Sequence, residues 1–254
     1  MSHIECRAVD RRHCLRLVAG AGAAVWLQAR AQSRAEIRRV GIFSLLGDSV
    51  RIVARETREA LFKDVGMDEV VFDVVGRAVL ASQPRAELRH FRAPAEVDVQ
   101  DQLSIGTAAG RRAELPGWVS DAARDAALSH VLLVTSSAGA MEFRTGLSEV
   151  VGSDRVTGIG FVVSGSGRSR SQETGAVATG YLAPFVQLRM TLVDLTGPRV
   201  VHSASLSEGY IVGPPASEAP DPWQFLSRQD KAQALKWLLR RVMTRGIQQV
   251  LSQV

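Results

Sequence analysis

Three histidines, three aspartates and one serine between glycines are the residues of this 254-residue chain whose types invite a chemical reading. His90, His130 and His202 could ligate zinc only in company, and each stands without the H-E-x-x-H or i, i+4 partner that one helical face would supply. Each is expected to be a surface or half-buried strand residue. Ser166 lies between Gly165 and Gly167, but a nucleophile elbow needs wider glycine spacing and a strand-turn-helix setting. Gly158-Ile159-Gly160 lacks the third glycine and the following helix of a dinucleotide fingerprint, and no phosphate-cradling G-x-x-x-x-G-K occurs. No metal and no cofactor is therefore expected, and no catalytic residue is assigned. Asp48, Asp73 and Asp194 are the acids best placed for a glycosidase-like pair, which would require two carboxyls roughly 5–10 Å apart. Turn formation explains Asp48 and Asp194 equally well.

The remaining chemistry is that of targeting. Arg11 and Arg12 stand together before Leu15 and the basic Arg16, and an eleven-residue apolar run, residues 17–27, follows at once. That run has the length of a signal-peptide core and falls short of the roughly 20 apolar residues that cross a bilayer. Ala29 and Ala31 put small residues at the two positions a signal peptidase reads, so cleavage is expected between Ala31 and Gln32. Residues 10–16, Asp-Arg-Arg-His-Cys-Leu-Arg, resemble the twin-arginine consensus, with Cys14 where phenylalanine is common and Arg16 where lysine is usual. A general secretory signal is the alternative. Either route implies a periplasmic or secreted protein of a Gram-negative bacterium. The twin-arginine route further implies that the protein crosses the membrane folded.

Removal of residues 1–31 changes the bulk reading. They hold five of the 31 basic residues and two of the 26 acidic ones, which leaves 26 and 24 and a formal charge of only +2. A basic surplus that would bind nucleic acid is therefore not expected. Cys6 and Cys14 leave with the same segment, so the mature chain is cysteine-free and has neither disulfide nor thiol chemistry. Cys14 precedes the apolar run, whereas a lipid-attachment cysteine follows it. No acyl anchor and no transmembrane segment of the mature chain is expected. The ratio of 28 arginines to 3 lysines, with no asparagine, reads as a compositional bias.

The elements that must position these side chains can be read in outline. The apolar run at residues 38–46, the Gly47-Asp48 pair and the alternation at residues 49–53 predict a hairpin. Val71, Phe72, Val75, Val79 and Leu80 recur at helical spacing over residues 67–82, and Gln83-Pro84 ends the pattern. A short strand is expected at residues 87–91 and a glycine-interrupted helix at 97–114. A helix at 118–128 then runs into an apolar strand at 131–135. Residues 157–163 read as a strand, and 164–180, rich in Ser, Gly, Arg and Thr, as a flexible loop or long hairpin arm. Residues 184–193 and 199–207 alternate across a turn at 194–198 and predict a second hairpin. A proline-rich connector, 213–222, precedes an amphipathic terminal helix. Its stripe is Leu235, Leu238, Leu239, Val242, Met243, Ile247, Val250 and Leu251, with Lys236, Arg240, Arg241 and Arg245 off it. The expected fold is α/β, with α+β the variant: one domain over residues 32–254 with a mixed sheet, flanking helices and a long hairpin in the second half.

The alanine-rich helix running into a strand at residues 122–134, Ala-Ala-Arg-Asp-Ala-Ala-Leu-Ser-His-Val-Leu-Leu-Val, resembles a step in the curli-secretion lipoprotein and TolB amino-terminal superfamily. The strand, turn glycine and strand of residues 186–203 are similar to its next element, and a terminal amphipathic helix follows in both. The likeness covers about residues 118–251 and lies in the order of elements. It implies a cell-envelope α/β domain that binds an envelope protein or glycan, and it transfers no catalytic residue. Two functions follow as expectations. One is a non-catalytic binding or scaffold protein of the envelope; the alternative is a carboxylate-dependent hydrolase acting on an envelope substrate. The oligomeric state is not fixed by any of these features.

Overall fold

The computed structural model describes residues 38–47, 50–54, 66–94, 110–144, 150–170, 175, 177–213 and 221–252. All of them fall within one compact unit, Ile37–Gln253. The fold is α/β, built on a mixed sheet.

The first strand, β1 (Arg39–Ser44), is buried at every position after Arg39. Such a run belongs in the middle of a sheet with both faces covered. Its neighbours are β3 (Glu87–Arg92) on one side and β4 (His130–Ser136) on the other, both parallel to it. The hairpin expected at residues 38–53 does not form. The second segment, β2 (Arg51–Ala54), pairs in parallel with β6 (Val150–Arg170), from Arg51 opposite Gly160 to Ala54 opposite Val163. Asp48 and Ser49 lie outside the described residues. The physical reason is that β1 already has two long parallel partners, which leaves no free edge for a hairpin mate.

Helix α1 (Met67–Ser82) occupies the residues its valine spacing predicts, and it buries Val70, Val71, Val74, Val75 and Val79. It starts after Gly66, held in the left-handed region at φ 64°, and stops where the Gln83 N–H bonds back to the Val79 carbonyl at 2.7 Å ahead of Pro84. Most of the helix expected at 97–114 falls outside the described residues. Its last five residues are not helical, because their backbone bonds to another strand: Arg112 bridges Arg199, and the Gly110 N–H donates to the Val200 carbonyl at 2.8 Å.

Helix α2 (Gly117–Asp125) leads into β4 through a tight reversal. Ala127 sits at φ 48°, and the Leu128 N–H reaches the Ala123 carbonyl at 2.9 Å. This is a left-handed helix terminator in which glycine would carry less strain than alanine. Ala127→Gly is expected to raise stability by about 0.5–1 kcal/mol, read as a higher urea midpoint at unchanged slope.

The second half is strand-rich. After β4 come β5 (Ala138–Arg144), β6, β7 (Val177–Asp194) and β8 (Arg199–Gly209), each antiparallel to its successor in the chain from β5 on. The order across the sheet is β2-β6-β7-β4-β1-β3, with β5 added to β6 and β8 to β7. Of residues 164–180, residues 164–170 and 177–180 form the hairpin arm rather than the loop: β6 and β7 stay paired out to Arg170 opposite Val177. The hairpin of β7 and β8 across residues 194–198 is as expected. Strand β5 and the first part of β6 were not foreseen, although Met141 and Phe143 alternate inward with Glu142 and Arg144 outward. These two buried residues join Val156, Val162, Tyr181, Ala183 and Phe185 in a core cluster of their own.

The connector at residues 214–220 lies outside the described residues. The terminal helix α3 (Arg228–Leu251) is capped by Ser227, whose hydroxyl accepts the Asp230 N–H at 3.1 Å. Its stripe from Leu235 to Val250 is buried, while Arg240, Arg241 and Arg245 are exposed. The helix packs on α1, β7 and β8. It comes so close that a Cβ on Gly246 would lie 2.5 Å from Leu206. On the opposite face of the sheet, α2 brings Val119 and Ala123 against Phe43, Leu45, Val131, Leu133 and Val193.

Candidate functional site

From β1 the chain passes through β2 and α1 to β3 on one side, and from β3 through α2 to β4 on the other. The carboxyl ends of β1 and β4 are therefore a topological switch point, the place where open α/β sheets form a ligand crevice. A crevice is present there. It is lined by Leu46 and Gly47 after β1, Arg51 of β2, Met67 of α1, Ser136 of β4, and Thr157, Gly158 and Ile159 of β6. Beside it, the buried Ser44 hydroxyl donates to the carboxylate of Asp68, itself only 5 % exposed. Gly158 keeps the crevice tight: it sits at φ 73°, and a Cβ there would come 3.0 Å from the Ser136 hydroxyl. The free space is about 20 Å³, room for a single water. A substrate would require strands to move apart.

Deeper along the same junction, Gln187 of β7 donates from Nε2 to the Ser137 hydroxyl at 3.3 Å, while its Oε1 has no hydrogen-bond partner. Gln187 fills the space over Gly139, where a Cβ would lie 2.7 Å from Nε2. Ser44, Asp68 and Gln187 carry no motif spacing, and only the fold brings them to one end of the sheet.

The other end of the parallel strands gathers a serine, a histidine and an aspartate. Ser129 Oγ lies 3.0 Å from His130 Nδ1, and Asp194 stands opposite His130 in the β4–β7 register. Hydrogen-bond polarity decides what this group does. Ser129 Oγ accepts from the Arg39 N–H at 3.1 Å and donates its one proton to the Arg39 carbonyl at 3.0 Å. With that proton on the Arg39 carbonyl and His130 protonated at Nδ1, Ser129 accepts from His130, the reverse of what a nucleophile and its general base require. Asp194 accepts from the Thr196 N–H at 2.9 Å and its hydroxyl at 2.7 Å, shaping the turn, and pairs with Arg199 at 3.6 Å. The group is a clasp between strand ends.

His130 is only 4 % exposed, against the expectation of a surface or half-buried residue, because β1 and β7 flank β4 from its first position. Burial pushes its imidazole below the ordinary value, and the nearby Asp194 offsets this only in part. For Asp194, burial pushes upward but is outweighed by the two Thr196 hydrogen bonds, His130 and Arg199, so its carboxyl is held low. Both signs make acid destabilising. The His130 contribution is complete above its unfolded value of about 6.5 and is lost as pH falls through the lower folded value; the Asp194 contribution is lost further down, below about 3.9. Urea midpoints against pH should fall in two steps, and His130→Gln should shrink the upper one, leaving the share of His90, whose imidazole burial also lowers.

The other residues singled out in the sequence are dispersed. Asp73 is exposed on α1 and pairs with Arg77 one turn on. Asp73 and Asp194 thus sit on separate elements, one in a helix-surface ion pair and the other in a turn. His90 stacks on Phe72 with ring centroids 4.7 Å apart, and burial lowers its imidazole. His202 is half-buried on β8. Gly165 and Ser166 are exposed where β6 bulges before Arg168, and Ser166 is held by Ser164, with no helix following. Arg11, Arg12, Ala29, Ala31 and Gln32 lie outside the described residues. Among the described residues, no three or more of His, Cys, Asp and Glu come together as a metal site would need, and no helix is long and apolar enough to cross a membrane.

No family model matches the sequence, and no curated protein matches it. Solved structures give distant likenesses. The PelC dodecamer from Paraburkholderia phytofirmans is 14 % identical, with 86 % of this chain and 90 % of that one covered and a TM-score of 0.30. Protein XCC0632 from Xanthomonas campestris, of the DUF330 family, is also 14 % identical, with 86 % of each chain covered and a TM-score of 0.34. At these scores neither assigns a function.

Proposed function

We propose that this chain is an exported, non-catalytic binding or scaffold protein of the bacterial cell envelope, and that it engages an envelope protein through the β6–β7 arm. The arm carries the reading. Beyond the bulge that follows Ser164, the two strands pair from Arg168 opposite Thr179 to Arg170 opposite Val177. Val177 is 54 % exposed there. An antiparallel ribbon with an exposed β-branched residue in its last described pair suits strand addition by a partner, in which main-chain bonds supply affinity and alternate side chains supply selectivity. The turn and strand roles of Asp194, His130 and Ser129 support the non-catalytic side of the proposal.

Location rests on residues 1–31: a twin-arginine-type signal with Arg11 and Arg12 as its pair, cleaved before Gln32, delivering a single folded domain to the periplasm. The test is fractionation of the host with intact mass of the recovered protein, for the wild type and for Arg11 and Arg12 both changed to lysine. A periplasmic species starting at Gln32 that disappears in the double variant is the expected result. An uncleaved cytoplasmic protein in both cases would overturn the export reading. For the arm, Val177→Asp should leave the thermal midpoint unchanged and abolish recovery of envelope proteins crosslinked near it. Unchanged recovery would overturn that assignment.

A further inference from the structure

Helix α3 spends its apolar stripe on the core, yet Trp237 stands off the stripe and is 50 % exposed. It is held rather than loose. Tyr210, just past β8, meets the indole edge-on with centroids 5.7 Å apart at 87°. The Arg241 guanidinium, one turn along the helix, lies 5.3 Å from the ring centroid. Arg241 is fixed in turn by Glu208, at 2.9 Å, and the second oxygen of that carboxylate takes Arg245. The arrangement follows from two periodicities: Glu208 and Tyr210 share one face of a strand end, and Trp237, Arg241 and Arg245 share one ridge of a helix. The ridge runs about 12 Å along the helix.

We infer that this ridge is a binding site for an anionic polysaccharide, with a sugar ring laid on the exposed part of the Trp237 indole that Arg241 leaves open, and its carboxylates met by Arg241, Arg245 and Arg240. The C–H bonds on one face of a pyranose are weakly positive and seek the negative face of an aromatic ring. The guanidinium groups match carboxylates. Charge complementarity favours an anionic chain, since α3 has no acidic residue after Asp230, and Arg240, Arg241 and Arg245 outnumber the one carboxylate of Glu208 that pairs with the last two. A membrane surface is the weaker match: it needs a row of exposed apolar residues, and the α3 stripe faces the core. A protein partner would need an apolar centre surrounded by a rim, whereas a single aromatic plate among cations suffices for a sugar. The site uses none of the arm's residues and does not depend on the arm binding anything.

The test is titration of the full-length protein with oligogalacturonate, followed by calorimetry and by tryptophan emission, with maltohexaose, poly-glutamate and phosphatidylglycerol vesicles as comparisons. Saturable oligogalacturonate binding is expected, weaker at high salt. Trp237→Ala and Arg241→Ala should each weaken it by about tenfold or more, with maltohexaose binding at least as much weaker. Trp237→Phe and Arg241→Lys serve if either truncation fails to fold; the first should restore most of the affinity and the second only part. The inference is overturned if oligogalacturonate does not bind saturably, or if Trp237→Ala binds it like the wild type. It is equally overturned if poly-glutamate or the vesicles bind as tightly and lose binding in the same variants.

Discussion

Gly160→Val is expected to prevent folding, although valine is the better strand former. A Cβ at this position would lie 1.9 Å from the Arg51 carbonyl oxygen, 2.8 Å from the Arg51 carbonyl carbon and 2.9 Å from Phe185. The first two atoms are backbone, so no rotamer change relieves the overlap. β2 must leave β6, or β6 must leave Phe185 and its cluster. Strand propensity spans only about 1 kcal/mol, and the displacement costs more than about 3 kcal/mol, at the upper end of overpacking. Soluble yield and far-ultraviolet circular dichroism are the readouts. Gly165→Val on the same strand is the control, since a Cβ there meets nothing within 4 Å; its effect should stay within about 0.5 kcal/mol. If both variants fold alike, β2 is not packed against Gly160.

Phe43→Ala should lower stability by about 3–5 kcal/mol. Phe43 is fully buried in the middle of β1, stacked on Phe91 at 4.4 Å and 9°, and tilted against Trp118 at 5.7 Å. It thereby joins β1, β3 and α2. A cavity there cannot collapse easily, because the strands on both sides are fixed by their registers. The thermal midpoint should fall by roughly 6–20 °C, at about 2–4 °C per kcal/mol for a domain of this size. Leu80→Ala, at a residue 43 % exposed, should move it by less than about 3 °C. Similar shifts for the two would place Phe43 outside the core.

What the sequence made legible was local. Helix α1 was readable because its valines recur at helical spacing and Pro84 stops it. The β7–β8 hairpin was readable because Asp194 shapes its turn within the few residues that separate the strands. The pairing of β2 was not, since its partner Gly160 lies more than a hundred positions away and parallel pairing leaves no turn to see. An apolar run beside Gly47-Asp48 looks the same whether its neighbour in space is the next segment or a distant one. The site residues divide the same way. Asp194 could be placed in a turn from its neighbours alone, whereas the burial of His130 and the meeting of Ser44 with Asp68 depend on which strands lie side by side. Trp237 gave no signal in the helical stripe because it lies outside it, and only its exposure beside Tyr210 and Arg241 sets it apart.

Strand β7 has β4 and β6 along one side and β8 along the other, so the middle of the sheet is made by a segment that emerges late in synthesis. Until it arrives, β4 lacks its antiparallel neighbour and β1 has a partner that is itself half-paired. The contacts that close this sheet join distant parts of the chain, and such topologies fold slowly and as a whole. A ribosome-bound fragment ending before β7 would leave Leu132 and Val134 without the strand that stands opposite them in register. Export of a chain of this design would require that it either be held open by a chaperone until threaded through the membrane, or be completed to its last helix in the cytoplasm and carried across intact.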